Sequence, residues 1–137
     1  MAKLRHIALA AKDPKATAEF YKKHFEMKEA GRIDNELGEG VYLSDGVVNL
    51  AIIKMRSPWT NLPGEDMNFT GIHHFGFIVE NLEESMRKLE QDGSREVADI
   101  YQGEGEATVY YERKFLAPDG VVIDLSERGW AGARGDA

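Results

Sequence analysis

His6 and His74 occupy matching places 68 residues apart in a chain that holds only four histidines. Neutral imidazole is the commonest protein metal ligand, and two of them presented by equivalent strands predict half of a divalent-metal site. The final strand-like run of each half is the place to look for further donors. In the stretch 120–125 a carboxylate, Asp124, interrupts an apolar segment, and a charge buried in such a place is costly unless a cation compensates it. Asp124 is therefore a candidate ligand. The hairpin strand of the first half offers Asn49, a neutral and weaker oxygen donor. Each residue has a plainer alternative: a structural pair of histidines, and a carboxylate on the outer face. Alternation puts Val122 and Asp124 on one side and Val121, Ile123 and Leu125 on the other, leaving open which side is buried.

The elements that must position these residues repeat. Laid on itself at that offset, the chain aligns residues 4–13 with residues 72–81, each a short apolar run entered through a histidine and ending in Asp13 or Asn81. Both end residues are good helix N-caps, because their side-chain oxygens accept otherwise unpaired backbone N–H groups. Pro14 follows at a position where its missing N–H is harmless, and Ala16, Phe20, Tyr21, Phe25 and Met27 recur at roughly helical spacing. In the second half Leu82, Met86 and Leu89 do the same, with Glu83 and Glu84 in the first turn, where the helix dipole favours negative charge. Further strands are expected at 41–43 and 47–55, and at 97–101, 108–115 and 121–125. Asp45-Gly46 and Asp119-Gly120 supply the turns before the last strands. Each half thus reads βαβββ. The expected organisation is a single 1–137 domain of α+β class: module one over about 3–56, a linker over about 57–70, module two over about 71–127, and a Gly- and Ala-rich tail at 128–137 with no evident chemistry. Such a half cannot cover its own sheet, so two must pack together, and a homodimer is expected.

Composition narrows the function. At 137 residues with 42% hydrophobic and 30% charged side chains, the chain can bury a core of its own. A net charge of -7 argues against nucleic-acid binding, which needs clustered Lys and Arg. The absence of cysteine excludes disulfides, thiol nucleophiles and Cys-ligated zinc. The first nine residues, interrupted by Lys3, Arg5 and His6, are too short and too charged for a signal peptide, and no apolar run is long enough to span a membrane. A cytoplasmic protein that takes a small-molecule substrate is the expectation.

The His6-Ile7-Ala8-Leu9 entry strand, the Asp13-Pro14 helix start with Phe20-Tyr21, and the Pro118-Asp119-Gly120 ending that leads to Ile123-Asp124-Leu125 resemble the vicinal oxygen chelate superfamily over nearly the whole chain. That superfamily includes glyoxalase I, methylmalonyl-CoA epimerase, extradiol dioxygenases and bleomycin-resistance proteins. The resemblance implies paired βαβββ modules around a cupped mixed sheet, with a divalent ion (Ni, Zn, Co, Mn or Fe) held by one residue from the first and last strand of each module. Carried over, those residues are His6, Asn49, His74 and Asp124. It implies a lyase or an isomerase that stabilises an enolate-like intermediate of a small oxygenated substrate, with Asp124 or one of Glu36, Glu39 and Glu112 as base. An Fe(II) dioxygenase built on His6, His74 and Asp124 is the alternative, although Lys114 stands where the extradiol motif carries Tyr. Glyoxalase I typically presents Glu at both carboxylate positions, whereas epimerase-like members accept an amide, which suits Asn49. A metal-free binding protein with Trp59, Phe69, Tyr101, Tyr110 and Tyr111 lining its cup is the remaining alternative.

Overall fold

In the computed structural model, which describes residues 1–101 and 111–134, both expected N-caps are in place. Asp13 accepts from the Ala16 amide at the start of α1 (Pro14–Phe25), and Asn81 accepts from the Glu84 amide at the start of α2 (Leu82–Gln91). Around them run β1 (Lys3–Ala10), β2 (Lys28–Asp34), β3 (Gly38–Ser44), β4 (Asn49–Met55), β5 (Gly71–Ile78), β6 (Arg95–Tyr101), β7 (Tyr111–Leu116) and β8 (Val122–Ser126). The strands form one mixed eight-stranded sheet in the order β2-β3-β4-β1-β5-β8-β7-β6. This is the cupped α+β arrangement of two βαβββ halves.

Strand alternation sorts the side chains between the two faces. In β1, His6, Ala8 and Ala10 turn toward the cup, while Ile7 and Leu9 pack with Leu43, Leu50 and Ile52 beneath α1. In β5, His74 and Gly76 face the cup, and Phe75 and Phe77 pack with Phe115, Ile123 and Leu125 beneath α2. The apolar floor of the cup is built from Ala8, Ile33, Tyr42, Ala51 and Ile53, with Trp59 and Ala131 closing on it.

Several expectations are corrected. The third later strand that a βαβββ first half requires lies at 28–34, a stretch not singled out because it carries few apolar residues; its pairing with β3 and not its own burial holds it. In α1 the fully buried residue is Ala18; of the expected apolar set Tyr21 and Met27 pack with it, while Phe20 and Phe25 are 52% and 63% exposed. The strand expected at 47–55 begins at Asn49, since Asp45 Oδ1 accepts from the Val47 and Val48 amides and holds both in the turn. The tail, expected to carry no chemistry, packs on the cup: Trp130 is 1% exposed, and the Trp130 and Ala133 backbones pair with each other. Among the described residues no helix is long and apolar enough to cross a membrane.

Candidate metal centre

The pairing of the four central strands brings the candidates together. β1 and β5 run antiparallel with His6 opposite Gly76 and Ala8 opposite His74. β5 and β8 run parallel with Gly76 opposite Asp124, and β7 and β8 antiparallel with Asp124 opposite Lys114. Gly76 is the hinge of this geometry. A Cβ there would lie 2.9 Å from Asp124 Cβ and 2.9 Å from the Trp130 ring, so only glycine leaves both side chains their places.

The register also identifies counterparts between the halves. Ala8 pairs with Ala51 and Gly76 with Asp124, so the residue equivalent to Asp124 in the first half is Ala51 and not Asn49. Tyr42 lies opposite Ala51 just as Lys114 lies opposite Asp124. The first half therefore contributes a dry wall to the cup, and the second half contributes its charges.

Three donor atoms converge. His6 Nε2 and His74 Nε2 are 3.4 Å apart, and Asp124 Oδ2 lies 3.1 Å from His74 Nε2 and 3.6 Å from His6 Nε2. All three residues are buried. Asn49 stands elsewhere. Its Oδ1 is 2.7 Å from His6 Nδ1, on the ring edge remote from the convergence, and its Nδ2 donates to the Ala131 carbonyl.

The hydrogen bonds assign the protons. Because Asn49 Nδ2 must face a carbonyl, Oδ1 faces His6, and His6 Nδ1 carries the proton that it accepts, leaving Nε2 with a free lone pair. His74 reaches the same state through two residues. Glu65 Oε1 is 2.6 Å from His73 Nε2, and His73 Nδ1 is 2.8 Å from His74 Nδ1. Burial outweighs the pull of Glu65 and lowers the His73 pKa, so that ring is neutral and donates through Nε2. Its Nδ1 then accepts from His74 Nδ1–H, and His74 Nε2 is left bare. Burial lowers His6 to about 4 and His74 to about 3, so neither carries a second proton near neutrality. Burial opposes the charge on Asp124, but His74 and Lys114 more than offset it and hold the carboxyl well below the usual range. Among the described residues Asp124 Oδ2 receives no hydrogen bond.

Two proton-free nitrogens and a carboxylate oxygen thus point at one another with no hydrogen between them. Ligands held about 2.0–2.2 Å from a shared divalent ion, in tetrahedral to octahedral positions, lie roughly 3.0–3.5 Å apart. The observed separations fit that requirement, and the orphaned Oδ2 is the kind of atom an ion would satisfy.

Around this centre sit groups that the sequence reading missed or gave another role. Lys114, 2% exposed, places Nζ 2.7 Å from Asp124 Oδ1 and 3.1 Å from His74 Nε2. Trp130 stacks on His6 with centroids 4.4 Å apart and donates through Nε1 to Glu112. Of the glutamates considered as bases, Glu112 alone lines the cup; Glu39 is exposed and pairs with Arg56, and Glu36 is exposed. Burial, followed by repulsion from Asp124, raises Glu112 to about 7. Trp59 closes the cup, where it meets the His73 and His74 rings, whereas Phe69 is 41% exposed. The side chains of Tyr101 and Tyr111 and the whole of Tyr110 lie outside the described residues. The cavity that remains, bounded by Ala8, Leu37, Tyr42, Ala51, Trp59 and the polar groups, has a volume of about 30 Å3, space for only a few water-sized atoms. The signals in the sequence were faint: the adjacent His73-His74 pair, the two-residue spacing of Glu112 and Lys114, and a lone Trp in a Gly-rich tail.

The family model described as Glyoxalase/Bleomycin resistance protein/Dioxygenase superfamily matches residues 3–125. No curated protein sequence matches. Among solved structures, a hypothetical protein from Bacillus halodurans C-125 is similar at a TM-score of 0.71 and 19% identity, covering 91% of this chain and 93% of its own. Methylmalonyl-CoA epimerase from Mycobacterium tuberculosis is similar at 0.69 and 18%, covering 90% and 85%. A variant of the Streptomyces coelicolor epimerase, in complex with 2-nitronate-propionyl-CoA, is similar at 0.72 and 17%, covering 97% of each chain. At these identities the likeness concerns the fold.

Proposed function

The chain belongs to the Glyoxalase/Bleomycin resistance protein/Dioxygenase superfamily, and from that premise we propose that it is a metal-dependent isomerase or lyase moving a proton on a small oxygenated substrate. The observation that carries this reading is the convergence of His6 Nε2, His74 Nε2 and Asp124 Oδ2, all without protons, beside the buried Glu112. His6, His74 and Asp124 would hold the ion, with Asn49 as an orienting group for His6 and not a fourth ligand. A divalent ion there supplies Lewis acidity that stabilises the negative charge developing on substrate oxygen as a neighbouring proton leaves.

The chain's own groups do the rest. Glu112, raised to about 7, is poised to take up and return a proton near neutrality. Trp130 Nε1–H holds the Glu112 carboxyl in place while its ring fixes His6. Asp124, with one oxygen on Lys114 and the other among the imidazoles, is engaged as a ligand and passes the role of base to Glu112. Ala8, Tyr42, Ala51 and Trp59 exclude water and leave room for only a small reacting group.

Elemental analysis after purification without chelators is the first test. Near-stoichiometric Ni, Zn, Co, Mn or Fe, lost in His6→Ala and His74→Ala, is expected; no bound ion and no uptake on adding these metals overturns the reading. With metal in excess, proton exchange from small 2-oxygenated acids and branched acyl thioesters in heavy water, followed by NMR, should fall by about 10²–10⁴ in Glu112→Gln. A second reading is favoured by one observation: with Ala51 at the fourth position, the donor set is two His and one carboxylate, the set that suits Fe(II). Dioxygen uptake by the Fe(II)-loaded protein with a catechol would move the assignment there.

A further inference from the structure

His74 Nε2 has a single lone pair, and two cations have a claim on it. One is Lys114, whose Nζ is 3.1 Å away and also donates to Asp124 Oδ1 at 2.7 Å. A metal held by His6, His74 and Asp124 would need the same lone pair, and the two cations would repel each other at that distance. Lys114 is 2% exposed and lines the cup, so any movement of its ammonium is between seats inside the cup. A second seat exists inside the cup. Glu112 lies two residues earlier on β7 and on the same face, and its Oε2 is 4.0 Å from Lys114 Nζ while its Oε1 is taken by Trp130. A lysine stem has enough torsional freedom to swing its head over such a distance.

We propose that Lys114 is a tethered competitor for the cation seat, lying against His74 and Asp124 when no divalent ion is bound and withdrawing onto Glu112 when one binds. The inference rests on the metal reading above. The first half supports it by contrast: where the carboxylate position holds Ala51, the facing residue is Tyr42, so the internal ammonium is present only in the half that supplies the carboxylate. Its consequence is a site that is not left as an uncompensated cluster of acceptors without metal, and that binds metal less tightly than its donor set alone would allow.

The test is direct binding to metal-stripped protein at pH 8, above the value of about 7 at which Glu112 ionises, with Zn(II) and Co(II) titrated by calorimetry and by competition with a chromophoric chelator. Lys114→Met should bind at least about tenfold more tightly than wild type, since the competing charge is gone. Glu112→Gln, which removes the charge that receives the displaced ammonium, should bind more weakly by a similar factor. Lys114→Gln, which keeps a donor to Asp124, provides the same comparison should the Met variant fail to fold by circular dichroism. Folded Lys114 variants that bind no more tightly than a metal-binding wild type overturn this inference alone. If neither wild type nor the Lys114 variants take up any ion, the metal reading fails with it. Uptake by the variants and not by wild type supports the competition.

Discussion

Asn49 Oδ1 and His6 Nδ1 face each other at 2.7 Å across the parallel β1–β4 pair, in a place where Asn49 is fully buried and its amide nitrogen is already committed to the Ala131 carbonyl. The amide therefore chooses the tautomer of His6. Asn49→Ala would leave a buried ring N–H and a buried carbonyl unpaired, and should cost about 2–4 kcal/mol of unfolding free energy in urea. It should also weaken divalent binding about 10–100-fold, as loss of an outer partner of a ligating His does. Unchanged affinity in a folded Asn49→Ala variant would mean that the amide does not orient the ring.

On the other ligand the same control runs through Glu65 and His73, and it can be inverted by one atom. Thr60 donates to Glu65 Oε2 from its amide at 3.0 Å and from Oγ1 at 3.4 Å, so in Glu65→Gln the carbonyl oxygen is held by Thr60 and the NH2 is turned to His73. His73 must then accept at Nε2 and donate from Nδ1, and His74 must move its own proton to Nε2, where the metal lone pair was. A loss of metal affinity of about 10–100-fold is expected with little change in stability. Nitrogen-15 NMR of the His74 ring should show the tautomer exchanged; a His74 still protonated at Nδ1 would break this chain of reasoning.

Much of this site could be read before any coordinates, and the remainder shows what a linear chain hides. Asp13 and Asn81 mark helix starts because capping is local chemistry, and His6 and His74 stand out because they match across a repeat. The register is not local. Asn49 lies three residues after Gly46 while Asp124 lies four after Gly120, so the turns leave the counterpart loose, and only the pairing of Ala8 with Ala51 and of Gly76 with Asp124 fixes it as Ala51. Glu112 and Lys114 share a face by strand period, and two charges on one face read as the solvent side until their burial is known. Trp130 was hidden by its company: a Gly-rich tail reads as loose, yet this indole covers His6 and reaches Glu112.

That indole offers a stability test. Trp130→Ala removes a side chain that is 1% exposed and should cost about 3–5 kcal/mol, through the cavity left on His6 and the loss of a donor to Glu112. Gly76→Ala attacks the same place from beneath, pressing a methyl to 2.9 Å from the Trp130 ring and Asp124 Cβ, and should cost about 1–3 kcal/mol. Both are read by denaturant unfolding. Full stability in either would mean that the tail packs on the cup less closely than described.

The buried imidazoles also give the fold a defined response to acid. His6 and His74 sit at about 4 and about 3 against 6.5 for the free side chain, so as pH falls below 6.5 the unfolded chain takes up two protons that the fold refuses, and stability drops. Glu112 acts in the opposite sense. Burial raises it from 4.5 to about 7, so its contribution is full below pH 4.5 and is lost as pH rises through 7. His73, also lowered by burial, adds to the protons the fold refuses, so between 6.5 and 4.5 the unfolded chain holds the excess and stability should fall by at least about 1.4 kcal/mol per pH unit. Below 4.5 the glutamate no longer opposes the imidazoles, and the slope should steepen until His6, at about 4, begins to charge in the fold. Asp124, held below its usual value of 3.8, adds to the loss only below that pH. Urea unfolding of chelator-treated protein at pH 6.5, 5.5, 4.5 and 4.0 reads these slopes directly. Glu112→Gln removes the opposing proton, so its slope between 6.5 and 4.5 should be the steeper one from the start; equal slopes in variant and wild type would show that Glu112 is ionised in the fold and is not the proton carrier of the site.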